Sequence, residues 1–129
     1  MVKLELGESQ EDYLKAIYLI SKSSRGGWVS NSDIADMMHI KPSSVTNMLY
    51  KLKALDLIDW SPRKSLRLTQ KGKDIAKSIL SSYKLLQDFF VNILKIDDDD
   101  IIDDLCCKIE HHLTGEVKDA LSNLNVSLI

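Results

Sequence analysis

The stretch from Val29 to Leu68 constrains this chain more than any other, because its order of caps, apolar spacings and turns admits few folds. Ser30 followed by Asp33 has the spacing of a capping box and predicts a short helix burying Ile34, Ala35 and Met38 on one side. His39 and Ile40 end it. Pro42 suits the first turn of a second helix, where its missing N–H costs nothing. Val45, Met48, Leu49, Leu52 and Leu55 then recur at helical spacing as the inward face. Ile58-Asp59-Trp60 and Leu66-Arg67-Leu68 are short alternating runs on either side of Ser61-Pro62-Arg63-Lys64-Ser65, which predicts a hairpin with a basic tip. Helix, tight turn, helix and β-ribbon in that order make a winged helix-turn-helix.

The outward face of the second helix carries Ser43, Ser44, Thr46, Asn47, Tyr50 and Lys51. Short hydroxyl and amide groups at a helix start, with lysines behind them, suit a helix that enters a major groove and meets base edges and phosphates. An ordinary amphipathic helix with a solvated polar side carries a similar pattern. The wing tip favours DNA, since Arg63 and Lys64 beside a groove-reading helix are placed for the sugar-phosphate backbone.

Charge resolved along the chain sharpens this reading. The net charge is −2 over 129 residues. From Lys41 to Lys84 there are ten Lys/Arg against three acids; from Leu85 to Ile129 there are ten acids against three lysines. A basic half suited to phosphate and an acidic half that keeps clear of it imply two regions with different partners, divided here as residues 1–72 and 73–129. A hydrophobic fraction of 44% suffices for a core. Residues 1–11 do not resemble a signal peptide, and no apolar run approaches the roughly 20 residues needed to span a bilayer, so a cytoplasmic protein is expected. Cys106 and Cys107 are adjacent and cannot form a disulfide framework, which leaves a thiol or metal role open.

The flanks read as helices, making the fold mostly α. Ser9 begins the first, with Glu11 and Asp12 in its early turns and Leu14, Ile17, Tyr18 and Ile20 buried. The loop Ser23 to Gly27 stops it, and Trp28 and Val29 suggest a minimal strand. Thr69 caps a long helix predicted to reach about Leu94. Its apolar stripe from Ile75 to Leu94 exceeds what one small winged domain can cover, which points to an oligomer contact or an interdomain connector. Asp97 to Asp100 start the next helix; they lack EF-hand spacing, so capping is preferred over a hard cation. Ile102, Leu105, Cys106, Ile109 and Leu113 form its buried stripe. Gly115 is read as a break before a last helix from Glu116 to about Leu124.

Cys107, Glu110 and His111 stand at i, i+3 and i+4 on this acidic helix, on a face other than the buried stripe. Thiolate, carboxylate and imidazole within one turn are plausible ligands for a first-row divalent metal. A solvated Glu and His beside a buried Cys is the competing reading. His112 points elsewhere. No Gly-rich turn or second acid-base pair suggests an oxyanion site, so an enzyme is not expected.

Glu11-Asp12-Tyr13-Leu14 to Ile17-Tyr18, Asp33-Ile34-Ala35, Pro42-Ser43-Ser44-Val45-Thr46, Leu68-Thr69 with Gly72, and Ile109-Glu110-His111-His112-Leu113 together resemble the diphtheria-toxin-repressor and manganese-transport-regulator family. The resemblance covers nearly the whole chain. It implies a metal-activated homodimeric transcription factor with an N-terminal winged helix and a helical dimerisation domain, in a short form without an SH3-like domain. It also implies that Asp12 joins Cys107, Glu110 and His111 around the metal, and that Ser43 to Asn47 open the DNA-reading helix. Lys15 stands where the manganese branch has a second acidic ligand, and Tyr83 where members usually carry a histidine. Asp12 resembles the manganese branch and Cys107 the iron branch.

The expectation is a repressor of metal-homeostasis genes that binds operator DNA as a homodimer with Fe(II) or Mn(II), for which Co(II), Ni(II) or Zn(II) can substitute. No membrane or small-molecule substrate enters it. The rival is a metal-independent or thiol redox-sensing dimer whose acidic half binds a protein.

Overall fold

A computed structural model describes residues 6–127. The chain divides into two compact units, Met1–Lys77 and Ser78–Ile129, with the boundary inside one long helix.

The first unit contains α1 (Glu8–Ser21), α2 (Asn31–Met38), α3 (Pro42–Ala54), β1 (Ile58–Asp59), β2 (Arg67–Leu68) and the beginning of α4 (Gln70–Asp88). The capping box forms as its spacing predicts: Ser30 Oγ accepts from the Asp33 N–H at 3.0 Å, and Asp33 Oδ2 accepts from the Ser30 N–H at 3.2 Å. His39 closes α2 in the left-handed region at φ 55°, which frees the chain to begin α3 with Pro42 in its first turn. β1 and β2 pair antiparallel, with Ile58 opposite Leu68 and Asp59 opposite Arg67. Val29 bridges Leu66 as the minimal strand expected there.

Tyr13, Leu14 and Ile17 of α1, Ile34 and Ala35 of α2, and Val45, Leu49 and Leu52 of α3 close one core with Leu57, Ile58, Trp60, Leu66 and Leu68. Tyr13 and Ala16 are buried where the spacing pointed to Tyr18 and Ile20, which are half-buried. Gly72 shows why α4 can start where it does. A Cβ there would run into the backbone carbonyl oxygen of Leu57, so only glycine lets the helix lie against the end of the recognition segment. Thr69 holds that junction, its hydroxyl donating to Asp56 O at 2.8 Å and accepting from the Gly72 N–H at 3.2 Å.

The second unit consists of the rest of α4, a π turn over Phe89–Ile93, α5 (Asp99–Ile109), a 3-10 turn over Glu110–His112, and α6 (Gly115–Ser127). The long helix is therefore α-helical only to Asp88, short of the predicted Leu94. It widens by one residue per turn, with Leu94 N–H bonded to Phe89 O at 3.1 Å, and Lys95 at φ 58° turns the chain away. An apolar repeat does not register one widened turn, because Phe90 still packs against the core within it. Asp98 caps α5, its Oδ1 accepting from Asp100 and Ile101 N–H at 3.1 and 3.2 Å, as the capping reading required. Gly115 is the first residue of α6 rather than a break: Thr114 Oγ1 accepts from the Val117 N–H at 3.3 Å and acts as the cap.

Leu86, Ile102 and Cys106 form the buried centre of this unit, with Tyr83, Phe90, Ile96, Ile109, Leu113 and Leu121 half-buried around it. α6 is tied to α4 by Lys118, whose ammonium donates to Ser78 O and Oγ at 3.2 and 3.3 Å. Asn125 adds a bond from its amide to Leu85 O at 3.4 Å. No helix among the described residues is long and apolar enough to cross a membrane.

Candidate functional site

α3 presents Ser43, Ser44, Asn47, Tyr50 and Lys51 to solvent, with Thr46 half-buried between them. The wing tip keeps Arg63 and Lys64 exposed, and Arg63 takes a left-handed φ of 68° in that turn. Between this helix and the wing lies an open cleft of about 590 Å³, bordered by Asn31, Thr46, Tyr50, Trp60, Arg63 and Lys64. Tyr50 stands edge-on to Trp60 with ring centroids 4.9 Å apart, which braces the wing against the helix. On the wing's other side Arg67 lies over the Trp28 ring at 4.6 Å and approaches Asp59 at 3.7 Å. All eight residues predicted to face DNA therefore lie on one helix face and the adjoining tip.

In the second unit, the α5 spiral ends at Ile109, and Glu110, His111 and His112 tighten into the 3-10 turn. This shifts the i, i+3, i+4 geometry that a continuous α-helix would give the three candidate ligands. Glu110 and His111 come together: Glu110 Oε1 is 3.6 Å from His111 Nε2, and the two side chains are 0% and 2% exposed. That separation is too long for a hydrogen bond. Two donors about 2.1 Å from one ion, at tetrahedral or octahedral angles, lie roughly 3.0 to 3.4 Å apart, so the pair fits a shared cation with little adjustment. The donor chemistry of this carboxylate and imidazole suits a divalent ion.

Cys107 is one turn upstream and half-buried, with its Sγ 3.8 Å from Asp103 Oδ1. Tyr83 donates its hydroxyl to the same Asp103 oxygen at 2.6 Å. That hydrogen bond, followed by burial and the charge of Asp103, holds the Tyr83 phenol protonated far above its ordinary range. Cys106 points into the core, and burial first, then the neighbouring Cys107, Asp103 and Glu110, push its thiol up to about 11. It therefore stays a neutral apolar side chain at physiological pH. Asp12 belongs to α1 of the first unit and is half-buried; His112 is exposed.

The iron dependent repressor N-terminal DNA binding domain matches residues 5–66, and the iron dependent repressor metal binding and dimerisation domain matches residues 69–126. The chain belongs to the iron dependent repressor family. It is 36% identical over 116 residues to an uncharacterized HTH-type transcriptional regulator of Methanocaldococcus jannaschii, covering 90% of this chain and 91% of that one. It is 37% identical over 116 residues to the HTH-type transcriptional regulator MntR of Shouchella clausii, covering 90% of this chain and 78% of that regulator. Among solved structures, the manganese regulator SloR superposes with a TM-score of 0.74 at 29% identity over 89% of this chain. The chain spans about half of that structure's length, 52%. As a family member the chain is a metal-dependent transcriptional regulator whose partners are DNA and a second copy of itself, and it is not an enzyme.

Two features of this family member were absent from the sequence reading. Tyr83 and Asp103 are 20 residues apart and meet only through the packing of α4 on α5. Asn31 sits at the cleft, reaching Thr46 on α3 from the first residue of α2. An asparagine directly after a capping serine looks like part of the cap, so local spacing offers no sign of a partner 15 residues on.

Proposed function

We propose that this regulator represses metal-homeostasis genes when Fe(II) or Mn(II) is bound by Asp12, Cys107, Glu110 and His111. The observation that carries the ligand set is the buried Glu110–His111 pair, an anionic and an imidazole donor spaced for one cation and enclosed from water. Cys107 lies one helical turn away and can turn its Sγ from Asp103 toward that pair by rotation about χ1. Asp12 supplies a carboxylate from the DNA-binding unit. The ion, when bound, supplies the positive charge that lets three acidic or thiol donors and an imidazole share one site. Asp12 on one unit and the other donors on the second then fix the angle at which the recognition helices are carried, and so favour simultaneous engagement of two half-sites.

On the DNA side, Thr46 and Asn47 contact bases and Lys51, Arg63 and Lys64 phosphates, with Ser43, Ser44 and Tyr50 on the same DNA-facing surface. Residues 1–72 form the DNA-binding domain and 73–129 the metal-binding and dimerisation domain. The regulator works in the cytoplasm. The test is metal titration against duplexes selected by the protein from a random pool. Wild type should bind them in Mn(II) or Fe(II) and release them in chelator, and Asp12→Ala and His111→Ala should not respond. Equal affinity of the wild type in chelator and in excess metal would overturn the corepressor role. A metal response preserved in Asp12→Ala would remove Asp12 from the ligand set.

A further inference from the structure

We infer that Asn31, at the start of α2, is a positioning residue that sets the register of the recognition helix and thereby its base selectivity. This rests on the reading of α3 as the DNA-reading helix. The Asn31 amide nitrogen donates to Thr46 Oγ1 at 2.9 Å and to Pro42 O at 3.4 Å. The Thr46 hydroxyl in turn donates to Pro42 O at 3.1 Å. Asn31, Thr46 and the first carbonyl of α3 thus close a small ring of hydrogen bonds. A backbone carbonyl only accepts, so the amide's nitrogen, not its oxygen, must face Pro42.

The rest of the α2–α3 packing rests on Ile34, Ala35, Val45 and Leu49 in the core. Apolar contact is non-directional and tolerates small slides of one helix along another, whereas a hydrogen bond fixes a distance and an angle. The ring lies at the end of α3 that carries Ser43, Ser44 and Asn47, where a displacement of a fraction of an ångström decides whether a side chain reaches a base edge. The arrangement has a cost. Asn31 Oδ1 is enclosed and has no hydrogen-bond partner, and a buried unsatisfied oxygen detracts from stability. A residue serving stability alone would be better replaced by one without that oxygen; the amide is explained by what its nitrogen holds. The ring engages the Thr46 hydroxyl, so Thr46 meets a base edge through its methyl group, which Thr46→Val keeps, while Asn47 remains free to hydrogen-bond.

The experiment uses the 129-residue chain with saturating Mn(II), duplexes selected by the wild type, and scrambled duplexes of equal length. Asn31→Ala should lower the ratio of selected to scrambled affinity about tenfold, the size of one coupled contact. Affinity for scrambled DNA and the salt slope should stay at wild-type values, because no phosphate-facing cation is touched. Thr46→Val fills the same space without the hydroxyl; it should reproduce the loss, and the double variant should lose no more than either single one. A ratio within twofold of wild type, an equal loss on both duplexes, or losses that multiply in the double variant would each overturn the inference. A wild type that selects no sequence at all would instead remove the DNA reading on which it stands.

Discussion

Among the described residues, fifteen buried apolar side chains of the first unit, from Tyr13 to Ala76, meet in one cluster. In the second the corresponding cluster has three, Leu86, Ile102 and Cys106, inside a ring of half-buried ones. The second unit also leaves Val91, Leu94, Ile101, Val117 and Leu124 exposed, Ile101 by 51% and Leu94 by 50%. Small units with thin cores need an external contribution to their stability. For a dimerisation domain that contribution is a second copy, and exposed aliphatic side chains are what such a surface requires. The winged unit also leaves Leu19, Trp28, Met37 and Tyr50 exposed, but around a large core of its own; the acidic unit exposes its apolar groups around a thin core and buries a carboxylate and an imidazole. The two thus differ in what they bury, one built to meet phosphate and the other to meet metal and protein.

The largest expected effect lies in the winged unit. Gly72→Ala forces a Cβ into the Leu57 carbonyl, a backbone atom that cannot step aside. It should cost about 3 kcal/mol of that unit's stability, at the upper end for overpacking. Urea unfolding followed by the fluorescence of Trp28 and Trp60 will measure it. A loss below about 1 kcal/mol would mean that α4 does not need its close approach to the recognition segment.

Next comes the coupling of metal to DNA. Removing metal with chelator, or the imidazole with His111→Ala, should weaken operator binding by roughly 5- to 150-fold, or about 1 to 3 kcal/mol. Linkage runs both ways, so operator DNA should tighten metal binding by the same factor. Acid should weaken both, since metal binding displaces protons from its ligands. With a thiolate and an imidazole among the donors, Fe(II), Co(II), Ni(II) and Zn(II) should bind more tightly than Mn(II). Replacing Cys107 by Ser should narrow that difference; an unchanged order of metals and affinities would take the thiol out of the site.

Concentration separates the units directly. If the second unit completes its core with another copy, its unfolding free energy should fall by about 1.4 kcal/mol for each tenfold dilution across the dimer range. Local unfolding of the winged unit should not move with dilution. A second unit whose stability is independent of concentration would mean that its exposed aliphatic groups serve something other than dimerisation.

What the sequence made legible was local. The capping box at Ser30 and Asp33, Pro42 at a helix start and the basic tip between two alternating runs each announce themselves within a few residues, and the structure contains each of them. The metal candidates of the acidic helix stood out because Cys107, Glu110 and His111 are spaced i, i+3 and i+4, and Asp12 was named only through the family resemblance. Three things were not legible: the π turn, because an apolar stripe persists through it; the turn of Cys107 toward Asp103, because spacing says nothing of χ1; and the Asn31–Thr46 bond, because it depends on how α2 crosses α3. Gly115 was misread since glycine both breaks helices and opens them, and only the Thr114 cap decides between the two.

A smaller effect is expected from the wing. Arg63 and Lys64 are exposed, so replacing either with Ala should leave stability within about 0.5 kcal/mol of wild type. It should weaken selected and scrambled duplexes alike, and reduce the slope of log affinity against log salt by about one. Loss confined to the selected sequence would move the wing from backbone contact to base reading.

The smallest effect returns to glycine, in the acidic unit. A Cβ added at Gly115 meets nothing within 4 Å, and its backbone is already helical as the first residue of α6. Alanine there removes conformations from the unfolded chain without adding strain, which should stabilise the second unit by about 0.4 to 1 kcal/mol. The comparison with Gly72→Ala is the useful part. The same methyl group is excluded by a carbonyl in the unit that packs tightly and accepted in the unit that leaves space around α6. Measured by urea unfolding at a fixed protein concentration above the dimer range, Gly115→Ala should raise stability without altering metal affinity or base preference. A destabilisation would show that α6 opens against a neighbouring surface at Gly115, and that surface would then have to come from the second copy.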